Sequence, residues 1–208
     1  PSRARLELLV VGIGALAVSM SQTLLVPVLS TLPETLGASS ADVEWLLTAT
    51  LLVAAVSVPV LGRLGDMFGK RRMLLVSLSA LVVGSVITGL TDNLGLLILG
   101  RGIQGVSFGA IPLGISLLST LLPRERVGSA IALISAMLGV GGALALPIGG
   151  LIGEHTDYHA LFWLTAVIGS IALALTVAIV PESPVRNPGR IDVVGTLLLS
   201  AEIGRAHV

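Results

Sequence analysis

Few side chains in this sequence can do chemistry, and they are unevenly placed. Asp66 lies among Arg63, Lys70 and Arg71 in the stretch Gly62-Arg-Leu-Gly-Asp-Met-Phe-Gly-Lys-Arg-Arg72. A carboxylate in that company can pair with the cations or with a helix N-terminus, forming a cluster that locks and releases as helices move. Gly62, Gly65 and Gly69 let the chain turn tightly and let helices approach closely. A plain basic anchor would explain the cations but not the glycines or Asp66. Arg101, Gln104 and Gly105 fall at i, i+3 and i+4, on one helix face inside an apolar run. An arginine there costs about 2.5–3.5 kcal/mol on insertion scales, so it faces protein or water and marks a pathway unless it snorkels to an interface. Gln22, Thr23 and Thr48 offer uncharged hydrogen bonds in other apolar runs, which suits a broad, largely apolar pocket.

Other groupings carry less. Glu154-His-Thr-Asp-Tyr-His159 has metal-like residue types but no fixed one-face spacing, so a solvated loop is expected and no metal. Gly12, Gly14 and the later Glu34 mimic a dinucleotide fingerprint, yet they lie in a continuous apolar run rather than a strand–turn–helix. There is no cysteine, hence no disulfide or thiol chemistry. An intramembrane enzyme would need paired acids, bases or nucleophiles within the apolar runs, and Arg101 stands without them. No cofactor and no catalytic residue is expected. The formal charge is zero, which gives no footprint for nucleic acid.

The elements that must position these groups are membrane helices. Hydrophobic residues make up 54% of the 208 positions and charged ones 12%, against about a quarter charged in soluble domains. Mean hydropathy is +1.00. Apolar runs at Leu6–Leu29, Val43–Leu61, Met73–Leu90, Leu94–Leu117, Val127–Ile152 and Leu161–Val180 are each long enough to span a bilayer. A seventh begins near Asp192. The cations Arg3, Arg5, Arg63, Lys70, Arg71, Arg72, Arg124, Arg126, Arg186 and Arg190 all fall on one side, while the opposite turns carry acids and no Lys or Arg. The positive-inside rule therefore predicts a cytoplasmic N-terminus.

The runs also repeat. Gly62-Arg-Leu-Gly-Asp66 closes the second and Gly150-Leu-Ile-Gly-Glu154 the fifth, 88 positions apart, and the next runs start with the same offset. Three spans of offset invert the second copy, giving paired three-helix units that can open a central site to either side in turn. Pro27, Pro59, Pro112 and Pro147 are predicted to interrupt spans one, two, four and five. Kinked spans suit a cavity lining, whereas the uninterrupted spans three and six suit the lipid-facing periphery.

Several stretches resemble the major facilitator superfamily. Gly62–Leu75 matches that family's motif between spans two and three at its defining positions, and Arg101, Gln104 and Gly105 resemble its Arg-x-x-Gln-Gly motif. Gly142, Pro147, Gly149 and Gly150 are similar to the span-five antiporter motif, with Leu146 in place of the glycine before proline. Trp45-Leu-Leu-Thr-Ala-Thr-Leu-Leu52 and Arg190-Ile-Asp-Val-Val-Gly-Thr-Leu-Leu198 resemble the fourteen-span drug:proton antiporter branch, whose span-one Asp and Asn are replaced here by Ser21 and Val26. The resemblance implies an all-α membrane protein: a six-helix N-terminal bundle over residues 1–181, a cytoplasmic linker at 182–191 and a seventh span starting at 192–201.

It further implies a multi-pass plasma-membrane transporter that exports hydrophobic or cationic small molecules by alternating access, with protons as the coupling ion. The lipid bilayer and a C-terminal half of the same chain would be its partners. Transport of a nutrient or metabolite is the alternative. The spans are expected to bury no carboxylate, leaving a proton-carrying acid to the rest of the protein or to a span end such as Asp42 or Glu44. Glu202-Ile-Gly-Arg-Ala-His-Val208 resembles translated sequencing adapter, so the sequence is expected to be truncated, with native residues ending near Ala201.

Overall fold

The computed structural model describes residues 2–182. The linker beyond Glu182, the start of the seventh span at 192–201 and the tail at 202–208 lie outside the described residues. Six stretches are long and apolar enough to cross a membrane: Ala4–Val28, Ser40–Phe68, Lys70–Gly89, Leu94–Leu121, Arg124–His155 and His159–Ile179. They comprise α1 (Ser2–Thr23), then, after a short α2 (Leu32–Leu36), α3 (Ser40–Phe68), α4 (Lys70–Gly89), α5 (Leu94–Gly105), α6 (Ala110–Leu121), α7 (Arg124–His155) and α8 (His159–Ile179).

Local chemistry sets the boundaries. The Ser39 hydroxyl accepts from Asp42 N at 3.2 Å and caps α3, and Asn93 Oδ1 caps α5 by accepting from Leu96 N at 3.1 Å. Two of the four prolines act as expected. α1 stops at Thr23, whose carbonyl Pro27 could not satisfy, and a 3₁₀ turn follows at Val26–Val28. Pro112 likewise follows the 3₁₀ turn Val106–Gly109, which divides α5 from α6. Pro59 and Pro147 instead remain inside unbroken helices. Both are exposed, so the carbonyls their rings release belong to uncovered faces. They too are 88 positions apart, which extends the repeat.

Packing shows the inverted pair directly. α1 packs on α7 and α8, and α5 packs correspondingly on α3 and α4; α4 and α8, the third member of each unit, pack on each other. Two apolar clusters form along the bundle. One gathers Val10, Leu61, Leu78, Leu117 and Ala172; the other gathers Met20, Leu46, Leu97, Ala145 and Phe162. Between them runs a layer of buried polar side chains, Thr50, Ser85, Thr88, Arg101 and Gln104.

The spans differ in how much of their apolar surface is buried within this bundle. Only 22% of the apolar window of α3 and 17% of that of α7 is buried, against 61% in the first span. Like the kinked fourth span, the uninterrupted α4 is 44% buried within this bundle. It wedges between α5, α6 and α8 because its Ser77, Gly84 and Ser85 are small enough to admit them. The kinked α3 and α7 stand at the rim, with Trp45, Thr48 and Leu52 uncovered on one and Gly139, Ala143 and Pro147 on the other.

Candidate functional site

Arg101 sits eight residues into α5 and is 1% exposed, so it is buried rather than snorkelling. Its Nε donates to the Leu46 carbonyl of α3 at 3.1 Å. One terminal nitrogen donates to the Ser21 carbonyl at 3.1 Å and to Gln104 Oε1 at 2.7 Å. The other donates to Gln22 Oε1 at 3.3 Å. The Ser21 carbonyl is available because α1 ends two residues later, where intrahelical donors run out and the helix dipole is negative. The break before Pro27 thus creates an acceptor that the arginine takes up.

Two further contacts fix the guanidinium. Gln104 Nε2 donates to Ser85 Oγ at 2.7 Å, tying α5 to α4. The Thr50 hydroxyl reaches the Arg101 carbonyl at 3.0 Å. Gly105 lets α5 lie against the α3 backbone, since a Cβ there would strike the Thr50 carbonyl and come within 3.0 Å of Val53 Cβ. Gln22, Arg101, Gln104 and Gly105 are therefore brought together. Thr23 and Thr48 are not: their hydroxyls return to Ser19 and Glu44 carbonyls on their own helices. Ser85 was not anticipated, although a serine in an otherwise apolar run is the available signal.

The predicted gating loop is not a loop. Gly62, Asp66 and Phe68 are helical residues of α3, Lys70 and Arg71 already belong to α4, and Gly69 alone separates the two helices. Its φ of 116° is a conformation open to glycine and strained for other residues. Gly65 meets Leu113 of α6, whereas Gly62 has nothing within 4 Å of its would-be Cβ and is not a contact glycine in the described residues. Lys70 Nζ lies 3.9 Å from Asp66 and 3.5 Å from the Ser116 carbonyl. With Pro112 and Leu113 these residues border a cavity of about 210 Å³.

A partner the motif does not contain completes the corner. Glu182, just past α8, accepts from Arg71 N at 3.0 Å and lies 3.9 Å from Arg72 Nε. Gly69 leaves room for that carboxylate, which would otherwise meet a Cβ at 2.7 Å. Arg71 also donates to the Val177 carbonyl at 2.8 Å. The end of α8 is thereby fastened to the start of α4.

The expectation that no span buries an acid is corrected by Glu7, which is 6% exposed inside α1. It lies two residues beyond Arg5 at the basic end of the bundle, far along α1 from Ser21. At the acidic end, Tyr158 donates to Asp92 Oδ1 at 2.8 Å, and His159 lies 2.6 Å from Asp157 and 3.5 Å from Asp92. The backbone hydrogen bond from His159 holds the Asp157 carboxyl below its ordinary range, with smaller help from the His159 ring. Burial, then the bond to Asp92, pushes the Tyr158 hydroxyl up.

In the antiporter-like stretch, Gly149 packs on the Leu24 carbonyl and Pro27 of span one, and Gly142 lies near Ser19 and Thr23. Pro147 and Gly150 face away, Gly150 with nothing within 4 Å.

Comparison with known proteins gives consistent results. A family model described as Major Facilitator Superfamily matches residues 11–203. The chain is 33% identical over 93% of its length to the tetracenomycin C resistance and export protein of Streptomyces glaucescens, covering 36% of that protein. It is 26% identical over 97% of its length to multidrug resistance protein 3 of Bacillus subtilis, covering 40%. A probable triacylglyceride transporter of Mycobacterium bovis is 33% identical over 80% of the chain, of which 33% is covered. The chain thus spans a third or so of the length of these curated relatives. Among solved structures, a D-xylose–proton symporter superposes with a TM-score of 0.74 at 18% identity, over 99% of this chain and 53% of that one.

Proposed function

The chain belongs to the Major Facilitator Superfamily, a family of transporters rather than enzymes, and from that premise we propose that it is the N-terminal bundle of a plasma-membrane exporter of hydrophobic small molecules, driven by protons. The observation that carries this is the pair of uncovered helices, α3 and α7. α3 holds Arg101 through the Leu46 carbonyl and α7 packs on α1, which carries Gln22, so a second bundle covering both helices would close over a path beside this network. The likeness to a resistance and export protein and to a multidrug resistance protein favours outward transport of drug-like compounds. In this reading the basic end is cytoplasmic. The corner at Gly69, held by Lys70–Asp66 and Glu182, gates that end, and α7 with its Gly142–Gly150 stretch is one of the moving surfaces.

A second reading, transport of a nutrient or metabolite, is supported by Ser21 standing where the drug:proton branch carries an acid, and by the likeness to triacylglyceride transporters. Expressing the full-length gene in a host stripped of its main drug pumps separates them. Export predicts raised drug resistance and dye extrusion that collapses with the proton gradient. Unchanged resistance and gradient-independent dye levels would refute it.

A further inference from the structure

Among the described residues Arg101 meets no counter-charge, and this bears on what can pass beside it. A guanidinium stays protonated in proteins and offers five N–H donors. Four are taken here, by the Leu46 and Ser21 carbonyls and the Gln104 and Gln22 amide oxygens, and every one of those acceptors is neutral. Among the described residues no carboxylate pairs with it. Glu7 and Asp66 lie toward the basic end, and Asp42 and Glu44 are exposed at the start of α3, with Asp42 bound to Ser39. The side chain beside the nitrogen that keeps a spare donor is uncharged too: it is the half-buried amide of Gln22.

We propose that Arg101 is a charge filter, admitting neutral and anionic hydrophobic molecules to the path and excluding hydrophobic cations. This rests on the export reading and narrows its substrate class, which the sequence alone leaves open to cations. A buried positive charge repels a second one strongly because little water screens it. An arriving carboxylate or phenolate meets the opposite situation, with one N–H still to donate and a half-buried amide that can turn aside.

The test uses the full-length transporter reconstituted in liposomes with an imposed proton gradient. Three polycyclic dyes are compared: Nile red as the neutral probe, a bis-oxonol as the anion and ethidium as the cation. The native protein should move Nile red and the oxonol and move ethidium at least about tenfold more slowly, as a like charge at roughly 8 Å in a partly shielded interior would impose. Arg101→Lys should keep that order. Arg101→Gln should raise the ethidium-to-oxonol ratio by about tenfold. Should the glutamine variant fail to accumulate, Ser21→Asp carries the test, placing an acid on the residue whose carbonyl Arg101 binds; it should admit ethidium.

Ethidium moving as fast as Nile red through the native protein overturns the filter, which is also the result expected if an acid from outside residues 2–182 neutralises Arg101. So does an ethidium-to-oxonol ratio unchanged in both Arg101→Gln and Ser21→Asp. Transport of none of the three dyes sinks the export reading together with this one.

Discussion

Replacing Gly84 by alanine should unseat Arg101 without touching it. The added Cβ would lie 2.5 Å from the Gly100 carbonyl and 2.9 Å from Gln104 N, both backbone atoms of α5. Reaching 3.4 Å of ordinary contact from the carbonyl requires α4 and α5 to part by about 0.9 Å. That motion stretches the 2.7 Å Ser85–Gln104 bond beyond hydrogen-bonding range and frees the amide that orients the guanidinium. Overpacking costs about 1–3 kcal/mol and the lost bond about 1 kcal/mol, while alanine in mid-helix returns up to about 1 kcal/mol. The net loss is about 1–3 kcal/mol. It would be measured as a lowered thermal midpoint of the full-length protein in detergent. Gly128→Ala is the comparison, since nothing lies within 4 Å of that position. It should be neutral or slightly stabilising. If Gly84→Ala is as stable as Gly128→Ala, the tight α4–α5 crossing is not what holds the buried network.

Glu182→Ala should lower stability by about 1–2 kcal/mol, because the first turn of α4 loses its charged acceptor, and Glu182→Gln should lose less; thermal melts of the three proteins check the order. Tyr158→Phe should cost about 1 kcal/mol through the lost Asp92 bond, and the native-minus-variant absorbance near 295 nm should show a tyrosine that ionises above the ordinary phenol range. Asp157 works in the opposite pH direction. Its carboxyl is held low in the folded state, so its contribution is present above the ordinary carboxylate range and is lost as pH falls through the depressed value. Asp157→Asn should therefore flatten the acid limb of a stability-versus-pH curve, and an unchanged limb would remove Asp157 as its source.

The six spans and the inverted repeat were legible because lipid demands long apolar helices and because glycine and proline positions of the first unit return 88 residues later. Most boundaries fell within a few residues, but span two runs seven residues past Leu61, to Phe68. Arg101 and Gln104 were legible as a pair because i, i+3 spacing fixes one face. Their partners were not: the carbonyls of Ser21 and Leu46 carry no side-chain signature, and Ser85 meets Gln104 only through the crossing at Gly84. Polarity suggested a loop at Gly62–Arg72, whereas cooperativity carries α3 through Asp66 to Phe68. Glu7 lay hidden between Leu6 and Leu8, where hydropathy averages one charge away.

The single residue between α3 and α4 has a mechanical meaning. With no slack at Gly69, the two helices form a crank whose elbow is one pair of backbone dihedrals. α3 contains 29 residues, a rigid arm of about 43 Å. A swing of about 10° at the elbow would carry the Ser39 end through about 7 Å, while Lys70 and Arg72, held at the pivot by Ser116 and Glu182, would hardly move. The Leu46 and Thr50 bonds to Arg101 act as the stops of that crank, so α3 and α5 must turn together or those bonds must part.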